Sequence, residues 1–321
     1  MKAIVYEKYG PPDVLQLKEV AKPVPKADEV LIKVHAASIN ALDWHLLSAD
    51  IFLVRLNGGL QKPKNPILGV DVAGRVEAAG MHVTQLQPGD EVFGFGVSTF
   101  AEYACAGENK IVLKPANLSF EQAAAVPIAA LTALQALRDS GAIQPGQKVL
   151  IQGASGGVGT FAVQLAKAFG AEVTGVCSTR NLDMVHSLGV DHVIDYKKED
   201  FTRNGQRYDL ILAVNGYHPI GDYRHSLSPK GIYVMAGGTP TQMFQAITLG
   251  PWFSRGGNQK MGMMGTKTNQ KDLVFMKELL ESGKVVPVID ECYPLEKTVE
   301  AFRYFQKVHA RGKIVITMEQ R

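Results

Sequence analysis

The sequence predicts an α/β protein with two domains, an antiparallel β-barrel followed by a doubly wound parallel sheet. Its 321 residues suit two domains, because one domain usually takes ~100–200 residues. Short strands at close spacing fill the N-terminal third, and after Pro145-Gly146 apolar strands alternate with helices, which is typical of a parallel sheet. A hydrophobic content of 46% is sufficient for two cores and excludes a disordered chain.

The predicted barrel consists of short apolar segments separated by turn residues. Gly10-Pro11-Pro12 and Pro88-Gly89-Asp90 are two of the turns, since proline and glycine favour chain reversal. Many short strands at close spacing are typical of a compact antiparallel barrel. The strands are predicted at residues 2–6, 14–19, 29–37, 70–78, 90–93 and 100–106.

The pattern changes at Ser119, which forms a capping box with Gln122. The box predicts a helix from Phe120 to about Asp139, with a kink at Pro127. Strands then alternate with helices. The strands are predicted at 148–152, 172–177, 192–195, 210–214 and 231–236, and the helices between them at 158–169 and 182–188. Two more helices, at 269–283 and 295–308, and a strand at 312–317 follow. We expect the tail to return to the first domain, which gives residues 1–118 and 288–321 to the barrel and 119–287 to the parallel sheet.

Charge and cysteine usage exclude several classes of protein. The net charge is +3 and the basic residues are dispersed, which argues against nucleic acid or a membrane surface as the main partner. The three cysteines lie far apart and show no disulfide framework, which fits a reducing compartment. No secretory signal pattern and no apolar run of ~18 residues is found, so a cytoplasmic protein is predicted.

The most informative segment is the glycine loop, Gly153-Ala154-Ser155-Gly156-Gly157-Val158-Gly159, which follows a predicted strand and opens a predicted helix. This is the context of a dinucleotide-binding loop. Gly156 lets backbone N–H groups approach a pyrophosphate, Gly159 lets the helix lie close to the sheet, and the helix N-terminus attracts phosphate. The first glycine of the usual G-x-G-x-x-G pattern is Ala154 here, and a purely structural glycine turn is the alternative interpretation.

The turn after the next strand predicts which dinucleotide binds. An NAD site carries Asp or Glu ~20 residues past the glycines, for the ribose hydroxyls. Ser178, Thr179 and Arg180 stand in this turn instead, and a guanidinium suits a 2′-phosphate. The sequence therefore predicts that the dinucleotide is NADP. The alternative interpretation is that Arg180 is an ordinary solvent-exposed side chain.

The glycine loop also matches G-x-S-x-G, the nucleophile elbow of α/β-hydrolases, with Ser155 as the nucleophile. Asp209 and His309 follow in the chain order of a catalytic triad. The elbow calls neither for Gly159 nor for a basic residue after the next strand, and a strand-rich domain before it is unusual for that fold. A hydrolase is therefore the third hypothesis.

A series of segments spread over nearly the whole chain carries a family resemblance. In chain order they are HAASIN (35–40) with Asp43-Trp44, LGVDVAG (68–74), PGDEV (88–92), ALTALQAL (130–137), the glycine loop, VIDY (193–196) and GKIVI (312–316). Together they resemble the medium-chain dehydrogenase/reductase superfamily, and within it the zinc-free quinone oxidoreductase group. The resemblance implies a GroES-like barrel, a Rossmann domain, an active site in the cleft between them, and a homodimer built by extending the Rossmann sheets.

The resemblance also implies individual cofactor contacts. They are Ser155, Gly157 and Val158 at the pyrophosphate, Ser178 and Arg180 at the 2′-phosphate, Tyr196 near the adenosine, Thr132 near the nicotinamide, and His309, Ala310 and Arg311 in the tail. The alternative interpretations are an ordinary turn aromatic for Tyr196 and a solvated charge at a helix end for Arg311.

The ligands of the zinc-dependent members are missing from this chain. Those members have a Cys in the segment where this chain has Asn40, and His-Glu where it has Val70-Asp71. Many also contain a lobe with four closely spaced cysteines, and no segment of this chain matches that lobe. Zinc needs thiolate, imidazole or carboxylate ligands in a tetrahedral set. Neither a catalytic nor a structural zinc is therefore predicted.

The missing ligands shape the predicted chemistry. Without a Lewis acid to stabilise an alkoxide, hydride delivery from NADPH to an already electrophilic acceptor is the easier reaction. Quinones and the β-carbon of enones or enals qualify, because the negative charge spreads to a remote oxygen that hydrogen-bond donors stabilise. A non-catalytic, NADPH-binding redox sensor that acts on another protein is the second hypothesis.

Two residues are predicted to serve catalysis. Asn40 is expected to face the nicotinamide or the substrate and to donate a hydrogen bond to the developing oxyanion. Asp43 is expected to orient its neighbours or to relay a proton. The alternatives are a turn residue bonded to its own backbone for Asn40 and a helix N-cap before Trp44 for Asp43.

Overall fold

The chain forms two compact units in the computed structural model, which describes residues 1–50, 55–56, 58–238, 240–255, 258–307 and 310–318. The domain boundaries predicted from the sequence remain a prediction, and the two units divide the chain at other residues. The first unit comprises Met1–Ala129, Thr268–Gly283 and Pro287–Arg321, and the second comprises Ala130–Lys267 and Lys284–Val286.

The first unit is built on an antiparallel sheet. Its strands, numbered in chain order, are β1 (Lys2–Val5), β2 (Gln16–Glu19), β3 (Glu29–Ser38), β4 (Asp71–Ala79), β5 (Glu91–Phe95), β6 (Tyr103–Gly107), β7 (Ile111–Leu113), β14 (Ile289–Pro294) and β15 (Lys313–Thr317). Their order in the sheet is β14-β15-β3-β4-β5-β7, β6 pairs with β3, and β1 and β2 pair with each other. In this sheet, β14 and β15 form the one parallel pair among the described strands.

The register of β3 brings three distant parts of the chain together. Ser38, the last residue of β3, pairs with Asp71 at the start of β4. It also pairs with Val315, two residues after Lys313 opens β15. The end of β3 therefore lies between the beginnings of β4 and β15.

The first unit also contains helices, some of which pack against this sheet. The predicted capping box is present, because Ser119 Oγ accepts from the N–H of Gln122 at 3.2 Å and Gln122 Oε1 accepts from the N–H of Ser119 at 3.0 Å. The helix predicted from Phe120 is divided at Pro127 and ends in a π-helical turn, Ala136–Ser140. The helices are α1 (Ala41–Ser48), α2 (Phe120–Ala124), α3 (Pro127–Gln135, which continues into the second unit), α8 (Gln270–Glu281) and α9 (Thr298–Lys307).

The second unit is a doubly wound parallel sheet, as predicted. Its elements are β8 (Lys148–Gln152), α4 (Gly157–Ala168), β9 (Glu172–Cys177), α5 (Leu182–Ser187), β10 (His192–Asp195), β11 (Tyr208–Ala213), α6 (Ile220–Ser226), β12 (Leu227–Met235), α7 (Pro240–Arg255) and β13 (Lys260–Met263). The strand order is β10-β9-β8-β11-β12-β13, so β9 and β10 lie on one side of β8 and β11, β12 and β13 lie on the other. Ligands of such sheets bind at the carboxyl ends of the strands, where the winding direction changes.

The apolar run in β8 explains why this strand lies at the centre of the sheet. Val149, Leu150 and Ile151 are fully buried, as expected for a parallel strand that is covered on both faces. In the described ranges, the structure contains no helix with the length and apolar character needed to cross a membrane.

Candidate functional site

The glycine loop joins the carboxyl end of β8 to the N-terminus of α4. Gly153 has a φ of +84°, which favours glycine, and its N–H and that of Ala154 each donate to the carbonyl oxygen of Val176 at 3.1 Å. Gly156 is the N-cap of α4, and no side chain caps the helix. Since the first N–H groups of a helix lack acceptors within the helix, this end is suited to bind an anion.

Two glycines of the loop differ in the space around them. A Cβ atom on Gly156 would lie 3.6 Å from the nearest atom, the carbonyl oxygen of Gly153, whereas a Cβ on Gly159 would lie 2.1 Å from that same oxygen. Gly156 therefore borders open space and Gly159 is packed against the loop. The open space beside an uncapped helix end fits the pyrophosphate of a dinucleotide.

Ser155 is buried in the glycine loop and hydrogen-bonded to a neighbouring turn. Its Oγ accepts from Asn181 Nδ2 at 2.9 Å, so its own hydroxyl hydrogen can donate to a phosphate oxygen. Gly157 and Val158 are half-buried at the start of α4. The contacts of all three residues with a pyrophosphate remain predictions that this geometry allows.

The hydrolase triad is not brought together by the fold. Ser155 follows the carboxyl end of β8, whereas Asp209 accepts from the N–H of Lys148, the first residue of that strand, at 2.9 Å. The carboxylate and the hydroxyl therefore lie at opposite ends of a five-residue strand. His309 falls outside the described residues.

The next two strands bring the predicted 2′-phosphate and adenosine residues to the same sheet edge. Asp195 pairs with Cys177 in the parallel register of β10 and β9, and the N–H of Tyr196 donates to the carbonyl oxygen of Cys177 at 3.1 Å. Tyr196 thus lies beside the turn that carries Ser178 and Arg180. Ser178 is buried, Arg180 is exposed, and Tyr196 is 53% exposed.

A carboxylate that was not singled out from the sequence stabilises this edge. Thr179 Oγ1 donates to Asp195 Oδ2 at 2.6 Å, and this bond holds the pKa of Asp195 below its usual range, with help from the N–H of Lys197 and the charge of Lys198. Lys197 and Lys198 are exposed. Arg180, Lys197 and Lys198 are thus three exposed cations at this edge, which also carries the carboxylates of Asp195 and Glu199.

The remaining predicted cofactor residues are distributed over both units. Thr132 is buried on α3, in the second unit, with its Oγ1 at 2.7 Å from Thr266 Oγ1. Ala310 and Arg311 belong to the first unit, where the N–H of Arg311 donates to Asp290 Oδ2 at 3.0 Å. The cofactor roles of Thr132, Ala310 and Arg311 stay predictions.

The two predicted catalytic residues belong to a buried polar cluster in the first unit, at the end of β3 and the starts of β4 and β15. Asn40 is the N-cap of α1, and Asp43 lies three residues later inside the helix, so the N-cap alternative for Asp43 is wrong. The cluster, here named the Asp71 cluster, consists of Ser38, Asn40, Asp43, Asp71 and Lys313, all of them buried.

Asp71 is the centre of this cluster. Its Oδ2 accepts from Ser38 Oγ at 2.7 Å, Asn40 Nδ2 at 2.9 Å and Lys313 Nζ at 3.4 Å. Its Oδ1 accepts from the N–H of Ile128 at 3.0 Å, near the N-terminus of α3, where a negative charge is favoured. A fully buried carboxylate is thus surrounded by four donors, one of them charged.

Lys313 supplies the positive charge of the cluster. Its side chain is 4% exposed, and its ammonium donates to the carbonyl oxygen of Ile39 at 3.0 Å, to Asn40 Oδ1 at 2.5 Å and to Asp71. All three ammonium hydrogens therefore have acceptors. Burial lowers the pKa of Lys313, while the charges of Asp71 and Asp43 raise it.

Asp43 accepts two backbone hydrogen bonds and has no exposed surface. Its Oδ2 accepts from the N–H of Asn40 at 2.9 Å and its Oδ1 from the N–H of Gly69 at 3.1 Å. Burial raises the pKa of Asp43 to about 7, although the N–H of Asn40 opposes the shift; the charge of Asp71 raises this pKa further and that of Lys313 lowers it. A carboxyl group with a pKa near neutrality can take up or release a proton.

The donor set of the Asp71 cluster does not fit zinc. An ammonium group already lies 2.5 Å from the side-chain oxygen of Asn40. The two carboxylates, Asp43 and Asp71, already accept hydrogen bonds from protein donors, and with an amide they do not make a zinc set. Over the part of the chain that the structure describes, no three His, Cys, Asp or Glu side chains are grouped for a metal.

Asp71 and Lys313 had no predicted role, although the sequence holds a signal for them. Asp71 stands alone in the apolar segment LGVDVAG, and Lys313 precedes the apolar run Ile314-Val315-Ile316. Single opposite charges next to two apolar strands indicate a buried pair, because an isolated buried charge is too costly. Their proximity, however, depends on the strand order.

We expect the stability of the protein to increase as pH falls from 8.5 to 5.5, on account of Asp43. The folded chain binds this proton with a pKa of about 7, whereas the unfolded chain binds it at about 4. The stabilising contribution is thus present at low pH and is lost as pH rises through 7. The free energy of unfolding should rise by about 2 kcal/mol over this window.

Urea unfolding at several pH values measures this effect, with Asp43→Asn as the comparison. The free energy of unfolding should depend more steeply on pH in the wild type than in the variant. An identical pH dependence in both proteins would contradict the raised pKa of Asp43. Asp195, whose pKa is lowered by the bond from Thr179, titrates below this window and does not interfere.

Two family models match parts of the chain. Residues 26–116 match the alcohol dehydrogenase GroES-like domain, and residues 188–316 match a family described as zinc-binding dehydrogenase. The first match agrees with the predicted barrel domain. The second description names a metal that the residues of the Asp71 cluster do not fit.

The chain is also similar to named relatives over almost its full length. It is 36% identical to a chloroplastic quinone-oxidoreductase homolog of Spinacia oleracea, with 98% of both chains covered. It is 37% identical to 2-methylene-furan-3-one reductase of Solanum lycopersicum, with 98% of this chain and 79% of the relative covered. Among solved structures, the quinone oxidoreductase from Coxiella burnetii has a TM-score of 0.88 at 30% identity, with 99% of both chains covered.

The cytoplasmic location predicted from the sequence is contradicted by the relatives. The spinach relative is named as chloroplastic, and others at 33–34% identity are named as chloroplast envelope or mitochondrial proteins. These names place the relatives, and not this chain, in organelles. The free cysteines fit a reducing compartment, and they do not distinguish one reducing compartment from another.

Proposed function

The chain belongs to the medium-chain dehydrogenase/reductase superfamily and is a nicotinamide-dependent oxidoreductase, and from this premise we propose that it transfers a hydride from NADPH to quinones or to activated alkenes. The observation that carries the proposal is the uncapped N-terminus of α4 beside the open space at Gly156. It lies at the edge where doubly wound sheets bind dinucleotides. The names of the spinach and tomato relatives support the two acceptor classes.

The residues of the second unit would hold the cofactor by its phosphates. The N–H groups at the start of α4 and the hydroxyl of Ser155 would bind the pyrophosphate. Ser178 and Arg180 would hold the 2′-phosphate, and Tyr196 would lie against the adenosine. Positive charge at this sheet edge favours NADPH over NADH, because the extra phosphate adds negative charge there.

The residues of the first unit would serve the acceptor. When bound, reduced nicotinamide supplies a hydride. Asn40 would donate a hydrogen bond to the acceptor oxygen that becomes negative. Asp43, whose pKa is about 7, would hold a proton close by at neutral pH. The Asp71 cluster does not fit zinc, so we propose that the reaction proceeds without it.

The test is NADPH oxidation with a panel of quinones and enones, with and without a metal chelator. We expect turnover with at least one acceptor class in either condition. Loss of turnover on chelation would refute the zinc-free reaction. Tight NADPH binding without turnover of any acceptor would refute the reductase and favour the redox-sensing alternative.

Replacement of Arg180 by alanine should reveal the preference for NADPH. A charge-assisted hydrogen bond to a phosphate contributes about 1.5–3 kcal/mol, so the Kd for NADPH should rise about 10- to 100-fold. The Kd for NADH should stay unchanged, because NADH has no 2′-phosphate. Calorimetric titration with both dinucleotides measures this difference.

Arg203→Ala is the matched control for Arg180. Arg203 is also an exposed arginine of the second unit, and its Nε lies 3.6 Å from Asp200 Oδ2. Its removal should change neither Kd. An equal loss of NADPH and NADH binding in Arg180→Ala would contradict a role at the 2′-phosphate.

A further inference from the structure

The side-chain amide of Asn40 lies between two opposite charges. Its Oδ1 accepts from Lys313 at 2.5 Å, and its Nδ2 donates to Asp71 Oδ2 at 2.9 Å. A half-turn of the amide would place the NH2 group against the ammonium and the oxygen against the carboxylate. Both contacts would be repulsive, so the charge pair determines which way the amide points.

One hydrogen of this amide is held less firmly than the other. Nδ2 donates its second hydrogen to the carbonyl oxygen of Ser38 at 3.3 Å, which is longer than the usual ~2.9–3.0 Å and therefore weaker. An acceptor oxygen on a ligand can take over this hydrogen at a small cost. The hydrogen bonded to Asp71 and the oxygen bonded to Lys313 stay in place.

We propose that Lys313 is a positioning residue, which together with Asp71 turns Asn40 so that an amide hydrogen, and not the amide oxygen, is offered to the substrate. This inference rests on the proposed function and narrows it to acceptors whose oxygen accepts a hydrogen bond. Lys313 acts through Asn40 and donates to no ligand itself, since its three hydrogens already have acceptors in the cluster.

Four variants test the proposal. Lys313→Met removes the charge and keeps the length of the side chain, Lys313→Arg keeps the charge, and Asp71→Asn with Lys313→Met removes both charges. Lys114→Met is the matched control. Lys114 is a lysine of the first unit with a side chain 6% exposed, paired with Glu91 at 3.3 Å, and it has no place in the Asp71 cluster.

Kinetics with NADPH and a quinone give the first readout. We expect kcat to fall about 100-fold in Lys313→Met, as for the loss of an oriented oxyanion donor, and the arginine variant to recover it to within about 10-fold. The KM for NADPH should stay constant, because the glycine loop belongs to the other unit. Lys114→Met should keep the wild-type kcat, and an equal loss there would reduce Lys313 to a stabilising residue.

Hydrogen exchange of the Asn40 amide gives a second readout that needs no turnover. In protein labelled with 15N-asparagine, the two side-chain hydrogens should exchange slowly in the wild type, in Lys114→Met and in Lys313→Arg. They should exchange at least about 10-fold faster in Lys313→Met and in the doubly neutral variant. Unchanged exchange in these two variants would overturn the proposal.

The two readouts separate the failure of this inference from that of the proposed function. Absence of turnover in the wild type would reject the reductase, while amide exchange would still decide how Asn40 is held. Normal turnover and exchange in Lys313→Met would reject the positioning role and leave the reductase intact. If Lys313→Met does not fold, turnover and amide exchange in Lys313→Arg and in the doubly neutral variant test the positioning role in the same way.

Discussion

Replacement of Gly156 by valine is expected to weaken NADPH binding strongly and to leave the fold intact. The backbone at this residue is extended, with φ −84° and ψ 175°, and a Cβ would meet nothing closer than 3.6 Å. Valine therefore fits without strain. Its methyl groups, however, fill the space through which phosphate reaches the first N–H groups of α4.

The size of this effect follows from the hydrogen bonds that are lost. Two charge-assisted bonds to phosphate, at about 1.5–3 kcal/mol each, correspond to a Kd that is about 10²- to 10⁴-fold higher. Calorimetric titration with NADPH measures the binding, and urea unfolding measures the fold. Wild-type affinity in this variant would contradict a pyrophosphate at the glycine loop.

Gly159→Val is the matched control, three residues along the same loop. A Cβ there would lie 2.1 Å from the carbonyl oxygen of Gly153 and under 3 Å from the backbone of Ala154, so the helix would have to move away. We expect a loss of stability of about 3 kcal/mol or more. The two valines thus separate the binding role of the loop from its packing role.

Asp71→Ala is expected to destabilise the first unit by about 3–5 kcal/mol, because it leaves the Lys313 ammonium buried without its counter-charge. It also removes the acceptor of the Ser38 hydroxyl and of the Ile128 N–H. Such a loss is a large share of the ~5–15 kcal/mol that is typical of a folded protein. The midpoint of urea unfolding should therefore shift to a lower urea concentration.

The measurement can be confined to the first unit. The chain has two tryptophans, of which Trp44 belongs to the first unit and Trp252, 67% exposed, to the second. In a Trp252→Phe background, fluorescence reports the surroundings of Trp44 alone. Both the variant and its controls should be compared in this background.

Two controls define the cause of the loss. Asp71→Ala combined with Lys313→Met should be more stable than Asp71→Ala alone, because no unpaired ammonium remains. Glu77→Ala, which removes an exposed partner of Lys22, should leave the midpoint unchanged, since exposed ion pairs contribute little. A double variant as unstable as the sum of its single changes would contradict the pairing.

The parallel-sheet half of the fold was predictable because its pattern is local. The apolar run of β8, the glycine loop and the start of α4 lie within residues 148–168 and together report strand, turn and helix. The capping box at Ser119 and Gln122 was predictable for the same reason. In such segments, local propensity and tertiary structure agree.

Other elements could not be predicted because tertiary contacts create them. Helix α7 contains Pro251 and Gly250, both poor helix formers, and it packs against β13. Strand β13 reads Lys-Met-Gly-Met and forms by pairing with β12. The residues of helix α1 do not separate into an apolar and a polar face, so no helical period marked it.

The loop and the turn that we propose for the cofactor were recognisable in the sequence, whereas the Asp71 cluster was recognisable only in part. The glycine loop and the basic turn after the next strand indicate dinucleotide binding by their local sequence alone. Asn40 and Asp43 were singled out through a resemblance, but the residue that orients the amide lies 273 positions away from Asn40. No local pattern connects residues at that distance, because their contact depends on the strand order.

The same separation has a consequence for synthesis on the ribosome. β15 lies between β14 and β3 in the sheet, yet it is made after both of them. Until it emerges, a nascent chain that has folded β3 and β4 would expose the open edge of β3 and hold Asp43 and Asp71 without their cation. We therefore expect the N-terminal half to stay incomplete until Lys313–Thr317 has been made, so that a chain truncated before Lys313 would be a target for chaperones and proteases.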